Sequence, residues 1–224
     1  MKFGRKARGT QVRKLRSCQC TQAQLQSADF SKWIVQMLEK PDNMHRKLWE
    51  FGYITQALHE RGMLSLGKRG LGFAVGTEPL PDLFASMGCD ILASDLDTEE
   101  AKQKGWVDTS QHASSLELLN KRKLCPPDLF RERVDFRFID MRELPNNLGM
   151  YDFIWSSCSL EHLGTLELGE KFIYDSLKYL KPDGVAVHTT EYNVQSNSKT
   201  ISEGASVIYR KRDFKRMAKK LRKG

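Results

Sequence analysis

The side chains best equipped for chemistry stand at a few places in this 224-residue chain, each just beyond an apolar run. After Tyr151 to Ser157 comes Cys158-Ser159-Leu160-Glu161-His162. An imidazole titrates near neutrality, so His162 could act as a general base toward a hydroxyl, with Glu161 orienting it. The same two residues read equally well as a helix cap and a packing histidine. Asp95 closes the run Ile91 to Ala93, Asp140 and Met141 follow Val134 to Ile139, and Glu191 follows Val185 to Thr190. Upstream, Gly76 ends the run Leu71 to Val75 and leads into Thr77, Glu78 and two prolines.

These side chains need strands to carry them. Residues 70–97 read as strand, turn, helix, strand, with the helix near Leu83 to Met87 and the carboxylate of Asp95 at the second strand's tip. Val134 to Ile139, Tyr151 to Ser157 and Val185 to Thr190 supply three more strands. In an open parallel sheet the carboxyl ends face one crevice, so the Gly76 turn and Asp95 would meet the same ligand. Asp95 would take a ribose diol, and the helix start would turn N–H groups toward an anion. An ordinary βαβ unit without a nucleotide has the same outline.

Ahead of the sheet, the spacing of Phe30, Trp33, Ile34 and Met37 predicts one helix from Asp29, ending by Pro41. Leu48, Phe51, Ile54 and Leu58 predict another over about 44–64. Asp97 to Glu100 reads as a helix cap with an acidic first turn. The stretch from Trp106 to Leu119 is a long link at the sheet edge, where insertions shape pockets, and His112 stands in it as a site or a structural histidine. A helix from Glu170 to Leu180 ends at the turn Lys181-Pro182-Asp183-Gly184. Near the end of the chain, Phe214, Met217, Ala218 and Leu221 form the apolar stripe of a basic helix, expected to pack on the sheet.

This order of features resembles the class I S-adenosylmethionine-dependent methyltransferases. Their first motif, acidic-x-Gly-x-Gly-x-Gly, lies over Gly72 to Glu78 and keeps only its central glycine, Gly76; Gly72 replaces the acid, Ala74 the first glycine and Glu78 the last. The Leu160-Glu161-His162 segment and the Leu-Lys-Pro-Asp-Gly before the fifth strand are family-like as well. The resemblance implies an α/β, Rossmann-like sheet lacking the last two strands, with N-terminal helices. It divides the chain into a basic flexible segment (1–28), helices that cover the site (29–66) and a cofactor-binding domain (67–224). It implies S-adenosylmethionine held by Ala74, Gly76, Thr77, Glu78, Asp95, Leu96, Asp140, Met141 and Ser157, with Glu78 standing in for the lost acid at the methionine ammonium. His162, Glu161 and Glu191 would be catalytic. Some relatives bind a divalent ion through Glu-x-x-Glu-His; here Cys158 replaces the first carboxylate, Glu191 or His188 could complete such a site, and no metal ligand is assigned. A fainter likeness of GTEPLP, QHASSLELL and TTEYN to bacterial methyltransferases of glycan assembly points to a small-molecule or carbohydrate acceptor.

Charge bears on the alternatives. The formal net charge of +8 comes from the ends: residues 1–16 hold seven Lys/Arg and no acid, and 210–223 hold nine with one acid, Asp213. Such ends could dock on the phosphates of an RNA acceptor. A binding module that keeps the cofactor without transferring the methyl group is the other alternative. No run reaches the roughly 18 apolar residues of a membrane span. Five cysteines and a basic N-terminus without an apolar core predict reduced thiols and a cytoplasmic setting. A sheet shortened at its end would need its edge covered, by a partner or by the N-terminal helices.

Overall fold

The computed structural model describes residues 15–40, 43–103 and 112–222. Most of the basic run at 1–16 lies outside these, as do Trp106 and the Thr109-Ser110-Gln111 part of the insertion.

Among the described residues three helices come first, α1 (Gln22–Leu25), α2 (Ala28–Gln36) and α3 (Arg46–His59). The α3 helix is shorter than its apolar spacing predicts. The His45 side chain caps its start by accepting from the Lys47 amide, and Gly62, at φ +69°, follows its end. Then come β1 (Arg69–Phe73), α4 (Leu80–Ser86), β2 (Asp90–Asp95), α5 (Thr98–Gln103), α6 (Leu116–Leu119), α7 (Pro127–Arg133) and β3 (Val134–Phe138). The chain continues through β4 (Tyr151–Ser157), α8 (Leu166–Ser176), β5 (Leu180–Thr189) and α9 (Lys211–Leu221). As expected, the Asp97 carboxylate accepts from the Glu99 amide at the start of α5.

Among the described residues the sheet has five strands in the order β3-β2-β1-β4-β5, all parallel. The strand order reverses between β1 and β4. The expected turn at 181–184 is instead absorbed into β5, where the register against β4 slips between Tyr151 and Phe153 and Asp183 takes φ +62°. A left-handed residue inside a strand gives a bulge where the sequence alone suggests a reversal.

Side chains alternate across β4 and so divide the core. Phe153 and Trp155 join the cluster built by α2, α3 and α4, with the Phe84 ring edge-on to both at 5.7 and 5.3 Å. Ile154 faces the other cluster, with Phe172 of α8 and Met217 of α9. Of the expected α9 stripe only Met217 packs inward, Ala218 is half-buried and Phe214 and Leu221 stay exposed; the helix is anchored instead where buried Asp213 accepts from the backbone and guanidinium of Arg210. Helix α3 lies against β4 and β5.

Asp82 ties α4 to the segment before α7. Its fully buried carboxylate accepts from the amides of Leu124 (2.9 Å) and Cys125 (2.7 Å). Asp82→Ala is expected to lose about 2–4 kcal/mol in urea unfolding, because two buried amides are left without acceptors.

Candidate functional site

A cavity of about 570 Å³ opens at the carboxyl ends of the strands, and both the β1 turn and the tip of β4 border it. That is where the strand order reverses, the usual ligand crevice of such sheets. Ala74 and Cys158, the residues just beyond β1 and β4, both adopt φ +48°. Non-glycine residues held left-handed on adjacent strand tips are strained, and such strain collects at functional sites.

The turn after β1 is organised by Asp95. Its buried carboxylate accepts from the amides of Gly76 (3.1 Å), Leu96 (2.8 Å) and Ala113 (3.0 Å). Burial raises its affinity for a proton although the three amides oppose this. The Gly76 amide is thus taken by Asp95 itself. Leu96 is fixed at both ends, since His112 Nε2 donates to its carbonyl at 2.7 Å. His112 holds the insertion against β2 and also borders the cavity.

Gly72, in β1, lies against the Trp155 indole. A Cβ there would stand 2.3 Å from Cζ2 of the indole and 2.6 Å from a Val75 methyl. The indole N–H donates to Glu78 Oε1 at 2.7 Å. Glu78 is buried yet borders the cavity, and burial pushes its carboxyl up to about 8 against the opposing pull of Trp155 and Lys47.

The opposite wall comes from α3. Glu50 is buried at 3% exposure and its carboxylate takes four donors: Arg46 Nη1 (2.8 Å), the Cys158 thiol (3.0 Å), Ser157 Oγ (3.0 Å) and Lys47 Nζ (3.2 Å). Arg46 also reaches Glu191 Oε1 at 3.0 Å and lies 3.1 Å from the Cys158 sulfur. Burial, with the neighbouring carboxylates of Glu161 and Glu50, drives the Cys158 thiol far upward, so it is a hydrogen-bond donor rather than a nucleophile. Sequence reasoning missed Arg46, Lys47 and Glu50. A carboxylate set among Leu48, Trp49 and Phe51 was the available signal.

Donor atoms of Cys158, Glu161 and Glu191 lie within 4.8 Å of one another. The Arg46 guanidinium already fills the cation position beside that group, so these residues do not fit a resident divalent ion. His188, the other expected ligand, hydrogen-bonds Ser156 Oγ through Nδ1 at 2.8 Å and packs edge-on against Phe172, on the α8 side of the sheet.

Glu161 and His162 follow β4 in a single 3₁₀ turn. His162 Nδ1 lies 2.9 Å from the Ala205 carbonyl, while Glu161 accepts from Thr190 Oγ1 at 2.8 Å. A carbonyl only accepts, so Nδ1 carries the proton and the neutral ring has its lone pair on Nε2. Burial raises Glu161. Ser157 is committed to Glu50, and Asp140 is held by the Arg142 amide (2.8 Å) and guanidinium (2.5 Å), the turn-forming role; Met141, Thr77 and His162 border the cavity.

No family model and no curated protein matches the chain. Solved structures do. One, assigned as a sarcosine dimethylglycine methyltransferase from Galdieria sulphuraria, aligns with a TM-score of 0.52 at 17% identity, over 78% of this chain and 60% of that one. The [4+2]-cyclase SpnF aligns with a TM-score of 0.52 at 19% identity, over 75% and 56%. The chain has the class I methyltransferase fold. A third match, the glycopeptide N-methyltransferase MtfA complexed with sinefungin, has a TM-score of 0.46 at 19% identity, over 65% and 51%. This chain thus spans between about half and three-fifths of the length of these structures. Because the class I methyltransferase fold is shared here by proteins named for methyl transfer and for cyclisation, chemistry has to be argued from the site.

Proposed function

We propose that the protein is an S-adenosylmethionine-dependent methyltransferase acting on an oxygen or nitrogen of a small molecule or carbohydrate. The observation that carries this reading is the single cavity onto which the β1 turn, Asp95, Asp140 and the tip of β4 all open. Its volume falls in the range of sites that hold drug-sized ligands. The residues fit the cofactor by their chemistry: Asp95 at a strand tip for a ribose diol, Met141 as an apolar surface for the adenine, and Glu78 as an acid near the β1 turn.

When bound, the cofactor supplies an electrophilic methyl group on a sulfonium. The chain's own contribution is alignment, exclusion of water and, for a hydroxyl acceptor, removal of a proton. His162 Nε2 is the atom proposed to take that proton, with the Ala205 carbonyl fixing the tautomer. Arg46 borders the cavity and would meet the acceptor first, held by Glu191, which is not among the lining residues.

Isothermal titration of the full chain with S-adenosylhomocysteine is expected to give micromolar affinity and a rise in melting temperature. Absence of binding would sink the reading. Binding with no methyl transfer to any acceptor tried would favour the cofactor-binding module. The RNA alternative draws on exposed Lys211, Lys215 and Lys219, which recur at helical spacing along α9. RNA binding that weakens steeply with salt would favour it.

A further inference from the structure

We propose that the amino-acid end of the cofactor is held between two opposite charges, Glu78 from the β1–α4 turn and Lys47 from the first turn of α3. Trp155 fills the space where the fold's usual acid would stand. The inference rests on the methyltransferase reading and says which residues of this chain recognise the methionyl group.

That group is a zwitterion, so its site needs an acceptor for an ammonium and a donor for a carboxylate. The position that would supply the acid is Gly72, and no side chain fits there, since a Cβ would meet the indole at 2.3 Å. The indole that closes position 72 also donates to Glu78 Oε1 at 2.7 Å. One residue therefore blocks the old position and fixes its replacement, leaving Oε2 of Glu78 as the oxygen to receive an ammonium.

The opposite pole is Lys47. Its ammonium lies 3.2 Å from Glu50 Oε2 and 3.4 Å from the Ser157 carbonyl, and its side chain borders the same cavity as Glu78. Lysine has three donor hydrogens, so these two partners leave one for a ligand carboxylate. Glu50 in turn is held by Arg46, Ser157 and Cys158, which keeps the stem of Lys47 on the tip of β4. The two poles are near enough to stabilise each other's charged forms.

The test compares three ligands by isothermal titration on the full-length protein and on Glu78→Gln and Lys47→Met. S-adenosylhomocysteine carries both charges. Its decarboxylated analogue keeps only the amine, and 5′-methylthioadenosine keeps neither. Wild-type protein is expected to bind S-adenosylhomocysteine at least about tenfold more tightly than methylthioadenosine, the scale of a charge-assisted hydrogen bond. Glu78→Gln should weaken both amine-bearing ligands about tenfold. Lys47→Met should weaken S-adenosylhomocysteine alone by a similar factor, and methylthioadenosine should stay within about twofold for both variants. Equal losses for all three ligands would mean a merely structural role and overturn the proposal, as would unchanged affinities. If the wild type binds none of the three, the cofactor reading itself fails; if it binds all three equally, only this inference does.

Discussion

Putting back the acid that the methyltransferase fold usually carries in its first motif, as Gly72→Asp, is expected to destabilise the protein by on the order of 5 kcal/mol rather than to improve cofactor binding. Two costs add. The new Cβ would lie 2.3 Å from Trp155 Cζ2, 2.7 Å from its Cε2 and 2.6 Å from Val75 Cγ1, so the indole must move within a core where it is fully buried. Overpacking of that kind costs about 1–3 kcal/mol. A carboxylate buried beside the indole adds several more, because the indole N–H is already given to Glu78. Against a typical total of about 5–15 kcal/mol, the variant should lose more than about 10 °C in melting temperature or accumulate insoluble. Reducing the indole in the double variant Gly72→Asp/Trp155→Val should recover part of the loss, and a double-mutant cycle measures how much. A Gly72→Asp protein as stable as wild type would contradict the tight contact with Trp155.

The second large effect is a dependence on pH carried by Glu78, with opposite signs for stability and for binding. Burial raises this carboxyl to about 8, and the Trp155 hydrogen bond and the Lys47 ammonium only partly offset it; Glu50 and Asp95 push the same way as burial. The folded protein therefore keeps a proton on Glu78 that the unfolded chain releases near 4.5. The stabilisation is complete below the unfolded value and is lost as pH rises through the folded one, at about 1.4 kcal/mol per unit where steepest. Urea midpoints should fall between pH 5 and 8, and Glu78→Gln should flatten that slope. Ligand binding runs the other way. An ammonium prefers the ionised carboxylate, so affinity for S-adenosylhomocysteine should rise with pH, by about tenfold per unit well below 8 and less as 8 is approached. Affinity that is flat with pH in the wild type, or unchanged in slope in Glu78→Gln, would remove Glu78 from the ligand.

Much of the scaffold could be read directly. The run Tyr151 to Ser157 forms β4 to the residue, because a strand buried on both faces is a continuous apolar stretch. The first strand was displaced by two residues at each end: Ala74 and Val75 are as apolar as the strand, and only the left-handed turn at Ala74 excludes them. At β5 the turn chemistry of Pro182-Asp183-Gly184 was real, but pairing with β4 resumes across it and makes a bulge. The cavity's border was legible where strand tips and the turns after them supply it, as with Asp95, Met141 and Glu78. It was not legible where a distant element supplies it. Glu50 meets Ser157 across 107 residues of sequence, and a helical carboxylate between two basic residues and an apolar face reads locally as solvated charge. At Glu161 and His162 the partners Thr190 and Ala205 come from segments far along the chain, which no local pattern announces.

The contact between position 72 and the indole of residue 155 has a consequence for any attempt to evolve this protein in the laboratory. In a library randomised at both sites, a side chain at 72 should be harmful beside tryptophan and tolerated beside a small residue, so the sign of its effect depends on its neighbour. Selection that allows one change at a time would hold the chain at glycine and tryptophan. Functional alternatives with an acid at 72 would emerge only from clones in which both codons change together.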